Sequence, residues 1–297
     1  MNEHSPRPAD PRAQRLPGDG WVECSCGARH WGLHGAAGLM LWRAAGAGTV
    51  DVVLQHRALW SHHGGTWGLP GGAIATGESA LEGAVREATE EAGIDPTGLR
   101  VHATRRLTHP DWSYTTVLAE ATADQQVSAT DPESLDIAWR PLADTADLTL
   151  LPAFADSLAE LSAMTRRLVL VIDGANVVGS RPDGWWSDRA GAAVALRDHL
   201  GTLAAQGLRA ADVGLPGERW YPHIVLVTEG RARGVGSVAG VEVIEAPGEG
   251  DDTITAQALV HAADPRNEVL VATADRELIG RARQAGARPL SPRLVRH

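Results

Sequence analysis

The segment from Gly72 to Ile94 constrains the fold more than any other part of the sequence, because a helix pattern and a fixed set of acids coincide in it. It reads GAIATGESALEGAVREATEEAGI. Good helix formers fill positions 78–92, Thr76 and Gly77 stand before them, and Gly93 follows as a C-terminal stop. We therefore predict a helix over residues 78–92.

Three glutamates of this segment share one helix face. Residues three and four positions apart lie on the same side of a helix, so Glu87, Glu90 and Glu91 should converge. Neighbouring carboxylates repel one another unless a cation neutralises them, and hard oxygen donors suit Mg²⁺ or Mn²⁺. The pattern predicts a metal site, to which a backbone carbonyl at Gly72 can add a ligand. Arg86 is spaced to pair with an acid, so we predict that it orients the cluster without binding metal.

The same segment resembles the signature of the Nudix hydrolases. Every fixed position of that signature is filled, and the least typical residue is Ala88, where a larger aliphatic residue is more usual. The resemblance implies an α/β fold of the Nudix α/β/α sandwich type with a mixed sheet. It also implies hydrolysis of a nucleoside diphosphate linked to another group, in which metal ions polarise the diphosphate and a carboxylate activates water. The base is either Glu87 or Glu90, and both alternatives stay open.

Other residues must recognise the rest of this nucleotide-derived small-molecule substrate. We predict substrate contacts from Arg57 and Trp67, and Trp60, Trp67 and Trp112 are candidates for stacking on a base. Core packing is the alternative for each tryptophan. We call the segment Gly72–Ile94 the box. Pro110 stands 16 residues after its last residue, Ile94, a position similar to that in family members that cleave ADP-ribose. A role in removing damaged nucleoside triphosphates fits the box equally well.

Strand patterns flank the box in the first half of the chain. We predict strands at Gly35–Trp42, Val50–Arg57, Leu99–Thr108, Ser113–Ala121 and Asp136–Pro141, and a closing helix from about Pro152 to Met164. Residues 1–18, rich in Pro and Arg without periodicity, are predicted to be disordered.

Apolar strands alternate with helices in the second half. The predicted strands are Leu168–Asp173, His223–Thr228, Val241–Glu245 and Val269–Thr273, and the predicted helices lie near Asp188–Ala205, Asp251–Ala263 and Arg276–Ala285. This alternation predicts a parallel sheet with helices on both faces. We place a domain boundary near residue 165, between a first domain over residues 19–165 and a second over residues 166–297.

Acidic residues mark the ends of strands in this second half. Ligands of open parallel sheets sit at the carboxyl ends of strands, so Asp173 and Asp275 should be neighbours in space. Asp251 and Asp252 open a helix, and at least one of them can join this pair to hold Mg²⁺ or Mn²⁺. The alternative is that these aspartates cap strand ends and helix starts.

The motifs IDGAN (172–176), GDDTI (250–254) and TADREL (273–278) resemble those of the NYN branch of the PIN-like metal-dependent nucleases. The resemblance covers about residues 166–297 and implies a Rossmann-like parallel sheet with ribonuclease activity on RNA. Asn176 and Thr273 would position the scissile group. The alternative is a non-catalytic RNA-binding or regulatory module.

A short Cys/His segment precedes the first long strand. Cys24, Cys26, His30 and His34 form C-x-C-x₃-H-x₃-H, which has the ligand types of a zinc site. The alternative is a β-hairpin with small buried cysteines and with histidines that face solvent. The chain has only these 2 cysteines, too few for a disulfide framework, so we expect reduced thiols.

Charge and hydropathy narrow the class of protein further. The net charge is −10, and the excess of acids lies before residue 166, where 11 arginines face 21 acids. That balance argues against an electrostatic grip on nucleic acid in the first half. No apolar run reaches the roughly 18 residues that span a membrane, and no signal-peptide core is present, so we expect a cytoplasmic protein with no membrane partner. Related Nudix enzymes are often dimers, which makes a homodimer an expectation as well.

Overall fold

The computed structural model describes residues 17–46, 48–180, 188–232 and 234–296. The predicted disorder of residues 1–16 lies outside this part of the chain. Pro17 and Gly18 belong to the described part, and their carbonyl oxygens accept hydrogen bonds from the backbone N–H groups of Thr76 and Leu33, at 2.8 Å each. These two residues are therefore attached to the fold.

Sixteen strands and seven α-helices follow one another along the described residues. The strands are β1 (Trp21–Glu23), β2 (Arg29–Trp31), β3 (Ala36–Ala44), β4 (Val50–Arg57), β5 (Trp67–Gly68), β6 (Gly71–Ala73), β7 (Leu99–Thr108), β8 (Ser113–Ala121), β9 (Ser134–Pro141), β10 (Arg167–Asp173), β11 (Leu208–Arg209), β12 (Arg219–Trp220), β13 (His223–Thr228), β14 (Val241–Glu245), β15 (Asn267–Ala272) and β16 (Arg288–Leu290). The helices are α1 (Ala80–Ala92), α2 (Pro152–Ala163), α3 (Gly174–Gly179), α4 (Arg189–Gln206), α5 (Ala210–Val213), α6 (Gly250–Ala262) and α7 (Arg276–Gln284).

The larger of the two main sheets is mixed and contains 9 strands. Its order is β11-β12-β7-β8-β3-β4-β5, with β6 paired to β3 and β9 paired to β4. The pairing of β3 with β8 is parallel, and the other pairs described in this sheet are antiparallel. A mixed sheet was predicted for this half.

Helices cover both faces of the mixed sheet. Alternate residues of β3 point to opposite sides, as the two-residue period of a strand requires. On one side Leu39 and Leu41 pack in a core with Ala84, Ala88 and Ala92 of α1. The other side carries a second core, which includes Met40 and Trp42 of β3 and Phe154 and Leu161 of α2. Ala88, the unusual position of the box, is fully buried, so a small residue lets α1 lie close to the sheet.

Helix α1 begins two residues later than predicted. Ser79 is its N-cap and forms a capping box with Glu82, so Thr76 and Gly77 do not start the helix. Glu78 lies outside the helix, and its carboxylate accepts a hydrogen bond from the backbone N–H of Ala75 at 2.9 Å. The predicted stop is confirmed, since Gly93 is left-handed at φ 66°.

The second main sheet is parallel throughout and has the order β14-β13-β10-β15-β16. Leu168, Leu170 and Ile172 of β10 pack in one core together with Leu196 and Leu200 of α4. Val169 and Val171, which point to the other side, pack with residues of α6 and α7. The predicted parallel sheet with helices on both faces is therefore present. Strand β16 was not predicted, because it is only 3 residues long and contains a proline.

A two-strand extension joins the halves of the chain. Strands β11 and β12 follow the predicted boundary near residue 165, yet β12 pairs with β7 of the mixed sheet, with Arg219 opposite Thr104 and Trp220 opposite Ala103. Trp220 is fully buried, and its Nε1–H donates to the carbonyl of Pro216 at 2.8 Å. The core that includes Trp42 also continues into the parallel sheet.

A charged cluster connects the two sheets beneath Trp42. Arg167 of β10 donates to both carboxylate oxygens of Glu120 on β8, and its Nη1 donates to Asp264 at 2.9 Å. His102 contacts the same Glu120 carboxylate at 3.2 Å. Burial raises the pKa of Glu120, but the hydrogen bonds from Arg167 and His102 outweigh burial and lower the pKa to about 2. Glu120 is therefore a carboxylate that the folded chain keeps ionised.

Replacement of Arg167 with Ala is expected to destabilise the chain by about 3 kcal/mol, because it leaves a buried carboxylate without its main partner. Chemical denaturation at pH 7 measures this loss. The matched control is Arg166→Ala, which removes an exposed contact to Glu268 and should cost less than about 1 kcal/mol. Equal losses in the two variants would contradict the assignment.

The same cluster predicts how stability depends on pH. The pKa of Glu120 is depressed from its ordinary 4.5, so its contribution to stability is complete above that pH and is lost as the pH falls toward the folded-state value. The difference between the wild type and Arg167→Ala should shrink over this acidic range.

In the part of the chain that the structure describes, no helix combines the length and apolar character needed to cross a bilayer.

Candidate active sites

A cavity of about 830 Å³ opens beside the N-terminal part of the mixed sheet. Acidic side chains and backbone form one part of its wall, and aromatic side chains form another. The acidic part includes Gly72, Glu87, Glu90 and Glu91, and the aromatic part includes Trp21, His30, Trp31, Trp60 and Trp112; Arg57 also lines the cavity. The three box glutamates and Gly72, predicted as metal ligands, thus border one space.

Arg86 organises the acidic wall through its guanidinium. Its Nε donates to Glu78 at 2.9 Å, and its Nη1 lies 2.7 Å from a Glu87 oxygen and 3.2 Å from a Glu90 oxygen. Its Nη2 donates to the carbonyl of Ala73 at 3.0 Å. Arg86 therefore contacts the acids that sequence spacing indicated and holds α1 against β6.

Glu91 is the most deeply buried of the three glutamates, at 6% exposure. Its carboxylate accepts the backbone N–H of Gly71 at 2.9 Å. Burial, followed by the negative charge of Glu87, raises the pKa of Glu91 to about 8. Burial also raises the pKa of Glu87, against the opposing effect of Arg86. Both pKa values are raised because the two carboxylates are buried away from water and their negative charges are not fully neutralised by nearby positive charge.

The donor set fits a divalent cation. Glu78, Glu87 and Glu90 share the single guanidinium of Arg86. Glu91 lies beside Glu87, and Mg²⁺ and Mn²⁺ prefer such carboxylate oxygens. The three box glutamates do not bring one oxygen each within 4.8 Å of one another; among the described residues, Cys24, Cys26 and His30 are the group that meets this distance. The Nη1 group of Arg86 contacts one oxygen of Glu87 and one oxygen of Glu90, so these two oxygens are already engaged in this structure.

Gly72 is a close neighbour of Glu87. A Cβ atom added to Gly72 would lie 2.6 Å from the carboxyl carbon of Glu87, which is closer than real contacts allow. A side chain at position 72 must therefore displace the Glu87 carboxylate. Glycine is required at position 72 because the Glu87 carboxylate lies so close to its Cα atom, and not because of its backbone angles.

Replacement of Gly72 with Ala is expected to lower metal-dependent hydrolysis about 100-fold, the order of loss that a misplacement of about 1 Å produces. Steady-state kinetics in Mg²⁺ measure the loss, and thermal unfolding checks that the fold is retained. Gly68→Ala is the matched control, because a Cβ there meets only Leu151 at 3.6 Å, an ordinary contact. Full activity in Gly72→Ala would rule out this role for the glycine.

The tryptophans predicted to stack on a base divide between the cavity and the core. Trp60 and Trp112 line the cavity, as does Arg57. The prediction for Trp67 was wrong: its ring is buried at 9% exposure, stacks on His56 at 4.6 Å and lies beneath the Arg140 guanidinium. Trp67 is part of β5, whose side chain points into the packed interior.

Two aromatic residues of the cavity were not predicted from the sequence. Trp21 and Trp31 lie on the β1–β2 hairpin with ring centroids 5.3 Å apart, and both line the cavity. The hairpin brings them to the glutamates from about 60 residues away in sequence. No periodic pattern in two three-residue strands signals this placement.

Three of the four zinc ligands predicted in the Cys/His segment lie close together. One donor atom each from Cys24, Cys26 and His30 lie within 4.8 Å of one another. His34 does not join them, because its side chain is exposed and its Nε2 contacts the Thr76 hydroxyl at 3.1 Å. The four-ligand motif is thus wrong for His34.

The second acidic site lies where β10 and β15 end. Asp173 is buried at 8% exposure, and its two oxygens accept hydrogen bonds from the backbone N–H of Asn176 at 3.0 Å and the hydroxyl of Thr273 at 2.8 Å. The Thr273 hydroxyl also accepts the N–H of Asp275 at 3.1 Å. Asp173 and Asp275 are therefore neighbours, linked through one hydroxyl.

The order of strands gives this location a physical meaning. From β10 the chain continues to β13 and then to β14 on one side of the sheet. The later strands β15 and β16 lie on the other side of β10. The crevice between β10 and β15 is the switch point at which open parallel sheets bind ligands. Asp173 and Asp275 lie at that point.

The remaining predicted residues of this site have distinct positions. Thr273 is buried at 2% exposure, and Asn176 accepts the backbone N–H of Ala274 through its side-chain oxygen at 3.0 Å. Both side chains hold the site's own backbone and carboxylates. Asp275 caps α7 by accepting the N–H groups of Glu277 and Leu278, so the capping alternative describes one of its roles.

Two acids of α6 have different surroundings. Burial and then the charges of Asp275 and Glu229 raise the pKa of Asp251, against the lowering effect of Arg281. Asp252 is 91% exposed and pairs with Arg281 at 2.5 Å. Asp251 is therefore the residue of this pair that lies near the acidic site, whereas the Asp252 carboxylate is paired with Arg281 at the surface.

Glu229 is an acidic residue that sequence analysis missed. It follows β13, and its carboxylate accepts the backbone N–H of Gly250 at 2.5 Å. Its charge also contributes to the raised pKa of Asp173, after burial and the charge of Asp251. The signal available in sequence was its place directly after the apolar run His223–Thr228, much as Asp173 stands at the end of the apolar run of β10.

The first half of the chain has a mixed α/β fold in which a helix that carries glutamates borders a cavity. These features define the class of protein to which this half belongs. The NUDIX domain family model matches residues 32–162. A Mycobacterium tuberculosis protein named "Putative 8-oxo-dGTP diphosphatase 3" is 44% identical over 160 residues, which cover 52% of this chain and 73% of that protein. The chain belongs to the Nudix family.

Two further comparisons concern the same half. A Bifidobacterium longum protein named "Nucleoside triphosphate pyrophosphatase/Nudix hydrolase fusion protein" is 47% identical over 157 residues; the match covers 49% of this chain and only 33% of that longer relative. A crystal structure of a Nudix hydrolase from M. smegmatis is 43% identical, with a TM-score of 0.45 over 49% of this chain and 93% of that one.

Proposed function

We propose that the first half of the chain hydrolyses a nucleoside diphosphate linked to another group, in the presence of Mg²⁺ or Mn²⁺. One observation carries the proposal: the box glutamates and an aromatic wall border the same cavity of about 830 Å³. The carboxylates of the wall suit the metal-bound diphosphate, and its flat aromatic rings suit a base. Pockets of this size enclose small-molecule ligands.

The residues of the cavity divide the chemistry among them. When bound, the divalent ion polarises the phosphate and activates water. Glu87, Glu90 and Glu91 hold the ion together with the Gly72 carbonyl, and Glu87 and Glu90 are the two candidates for the base. Arg86 acts as a positioning residue through its hydrogen bonds to Glu87 and Glu90.

The aromatic wall and Arg57 bind the parts of the substrate that do not react. Trp112 and Trp60 are exposed to the cavity and offer faces for stacking. The Nε–H of Arg57 donates to the carbonyl of His62 at 3.2 Å. The Nη groups of Arg57 then bind a phosphate of the substrate.

Damaged purine nucleoside triphosphates are the substrate class that we propose to test first, because the M. tuberculosis relative carries that substrate in its name. ADP-ribose, dinucleotides and capped RNA form the comparison set. The products separate the classes, since a triphosphate gives a nucleoside monophosphate and pyrophosphate, whereas ADP-ribose gives AMP and ribose phosphate. Absence of hydrolysis of every member of the set in Mg²⁺ and in Mn²⁺ would refute the proposal.

We also propose a second function for residues 166–297, as an NYN/PIN-like domain that cleaves RNA with Mg²⁺ or Mn²⁺. Support comes from Asp173, Asp251, Asp275 and Glu229, which surround the switch point of the parallel sheet. Acidic oxygens suit a metal that holds a phosphodiester and generates hydroxide. On this proposal residues 19–165 form the Nudix domain. Failure of the full chain to cut any RNA in Mn²⁺ would favour an RNA-binding or regulatory module instead.

A further inference from the structure

The turn between β1 and β2 folds two thiols and one imidazole toward one point. The backbone N–H of Cys24 donates to Ala28 at 3.0 Å, and that of Gly27 donates to Cys24 at 2.9 Å, with Gly27 left-handed at φ 86°. This tight turn places Sγ of Cys26 3.4 Å from Nε2 of His30. Cys24, Cys26 and His30 each offer a ligand atom within 4.8 Å of the others.

The sulfur of Cys24 has hydrogen-bond donors on the neighbouring backbone. They are the N–H groups of Cys26 and Asp111. Asp111 is held in turn by Ser25, whose N–H and hydroxyl donate to its carboxylate at 2.7 and 2.6 Å. Hydrogen bonds of this kind fix the ligands of metal sites from outside.

We propose that Cys24, Cys26 and His30 bind one Zn²⁺ ion. Two thiolates and an imidazole are ligands that select zinc, whereas the hard oxygen donors of the box select Mg²⁺ or Mn²⁺. Three protein ligands leave the fourth tetrahedral position for water. His34 is not a ligand, since its ring contacts Thr76. The zinc site is therefore chemically separate from both acidic sites.

The ion would stabilise one wall of the nucleotide cavity. The His30 ring stacks on Trp112, with centroids 4.4 Å apart and planes 10° apart. Trp112 in turn donates from Nε1 to the carbonyl of Trp31 at 2.9 Å. His30, Trp31 and Trp112 all line the cavity. Zinc bound to His30 thus fixes the ring against which Trp112 packs. This consequence rests on the proposed nucleotide hydrolysis, but the zinc site itself does not.

Zinc content of the full chain tests the proposal. The reduced protein is loaded with Zn²⁺, desalted in excess Mg²⁺ so that hard carboxylate sites are filled, and analysed by elemental mass spectrometry. We expect one zinc per chain in the wild type and in His34→Gln, the matched control from the same motif. Cys26→Ser and His30→Gln should weaken zinc binding by more than about 100-fold, because even changes around metal ligands cost 10- to 100-fold.

Cobalt substitution identifies the ligands directly. Co²⁺ bound to thiolates gives a sulfur-to-metal charge-transfer band, which we expect in the wild type and in His34→Gln and expect to lose in Cys26→Ser. A wild-type chain with reduced thiols that retains no stoichiometric zinc would overturn the proposal. A loss of zinc in His34→Gln equal to that in Cys26→Ser would overturn it as well. Glu91→Gln should keep its zinc even where it hydrolyses no nucleotide, which separates a failure here from a failure of the proposed hydrolase function.

Discussion

Replacement of Glu91 with Gln is expected to reduce nucleotide hydrolysis in Mg²⁺ by about 1000-fold or more, since metal ions contribute several kcal/mol to such reactions. Glu91 is buried beside Glu87, and its carboxylate is held in place by the N–H of Gly71. Gln keeps the size and one acceptor oxygen but loses the charge that holds the cation. The measurement is release of nucleoside monophosphate at saturating substrate.

Glu90→Gln is expected to give a loss of the same order, and Glu82→Gln is the matched control for both variants. Glu82 lies on the same helix and undergoes the same change of charge, but it is exposed and serves in the capping box. Gln at this position preserves that cap. Unchanged hydrolysis in Glu91→Gln and Glu90→Gln would exclude the glutamate cluster as the metal site. Circular dichroism should show that both variants remain folded, so that their loss of hydrolysis is due to the loss of the carboxylate.

Replacement of Asp173 with Asn is expected to abolish RNA cleavage in Mn²⁺ and to leave nucleotide hydrolysis unchanged. Asp173 lies at the centre of the second acidic site, where burial and neighbouring charges raise its pKa. Asn retains the oxygen that accepts from Asn176 but removes the charge, and its amide group replaces the oxygen that accepts from Thr273. A metal that depends on this carboxylate is then lost. The assay follows a labelled RNA on a denaturing gel.

Asp252→Asn is the matched control for this second site. Asp252 is a neighbour of Asp251 in sequence, but its side chain is 91% exposed and pairs with Arg281. The control should cleave RNA like the wild type. RNA cleavage that persists in Asp173→Asn would show that the activity comes from elsewhere. Parallel loss of nucleotide hydrolysis in Asp173→Asn would mean that the two sites do not act separately.

The helix that carries the glutamates could be predicted in nearly all respects from the sequence. Its acids, its arginine and its C-terminal glycine follow rules that act within a few residues, so their spacing in sequence fixes their spacing in space. Only its start was misplaced, because both Thr76 and Ser79 are acceptable caps and the choice depends on which side chain meets a free N–H. The parallel sheet of the second half was predictable for a similar reason, since its buried strands are continuous apolar runs.

The errors concern residues whose neighbours are distant in sequence. Trp67 faces the core instead of the cavity because β5 pairs with β4, a pairing that two residues of strand cannot signal. Glu229 joins Asp173 because β13 and β10 are adjacent and parallel. His34 leaves the cysteines because the turn after β2 directs its ring to Thr76. Strand β12 crosses to the mixed sheet although it follows the predicted boundary.

The sequence by itself determined the chemistry of this protein: carboxylates at helical spacing, acids at strand ends, and a Cys/His segment of zinc-ligand types. Tertiary structure alone decided which of these groups share a space. It placed Trp21, Trp31 and His30 on the same cavity as Glu91, and it gave Asp252 an exposed position beside Arg281. The physical reason is that spacing along one helix or strand is set by local backbone geometry, whereas the meeting of distant segments depends on how whole sheets and helices bury their apolar faces together.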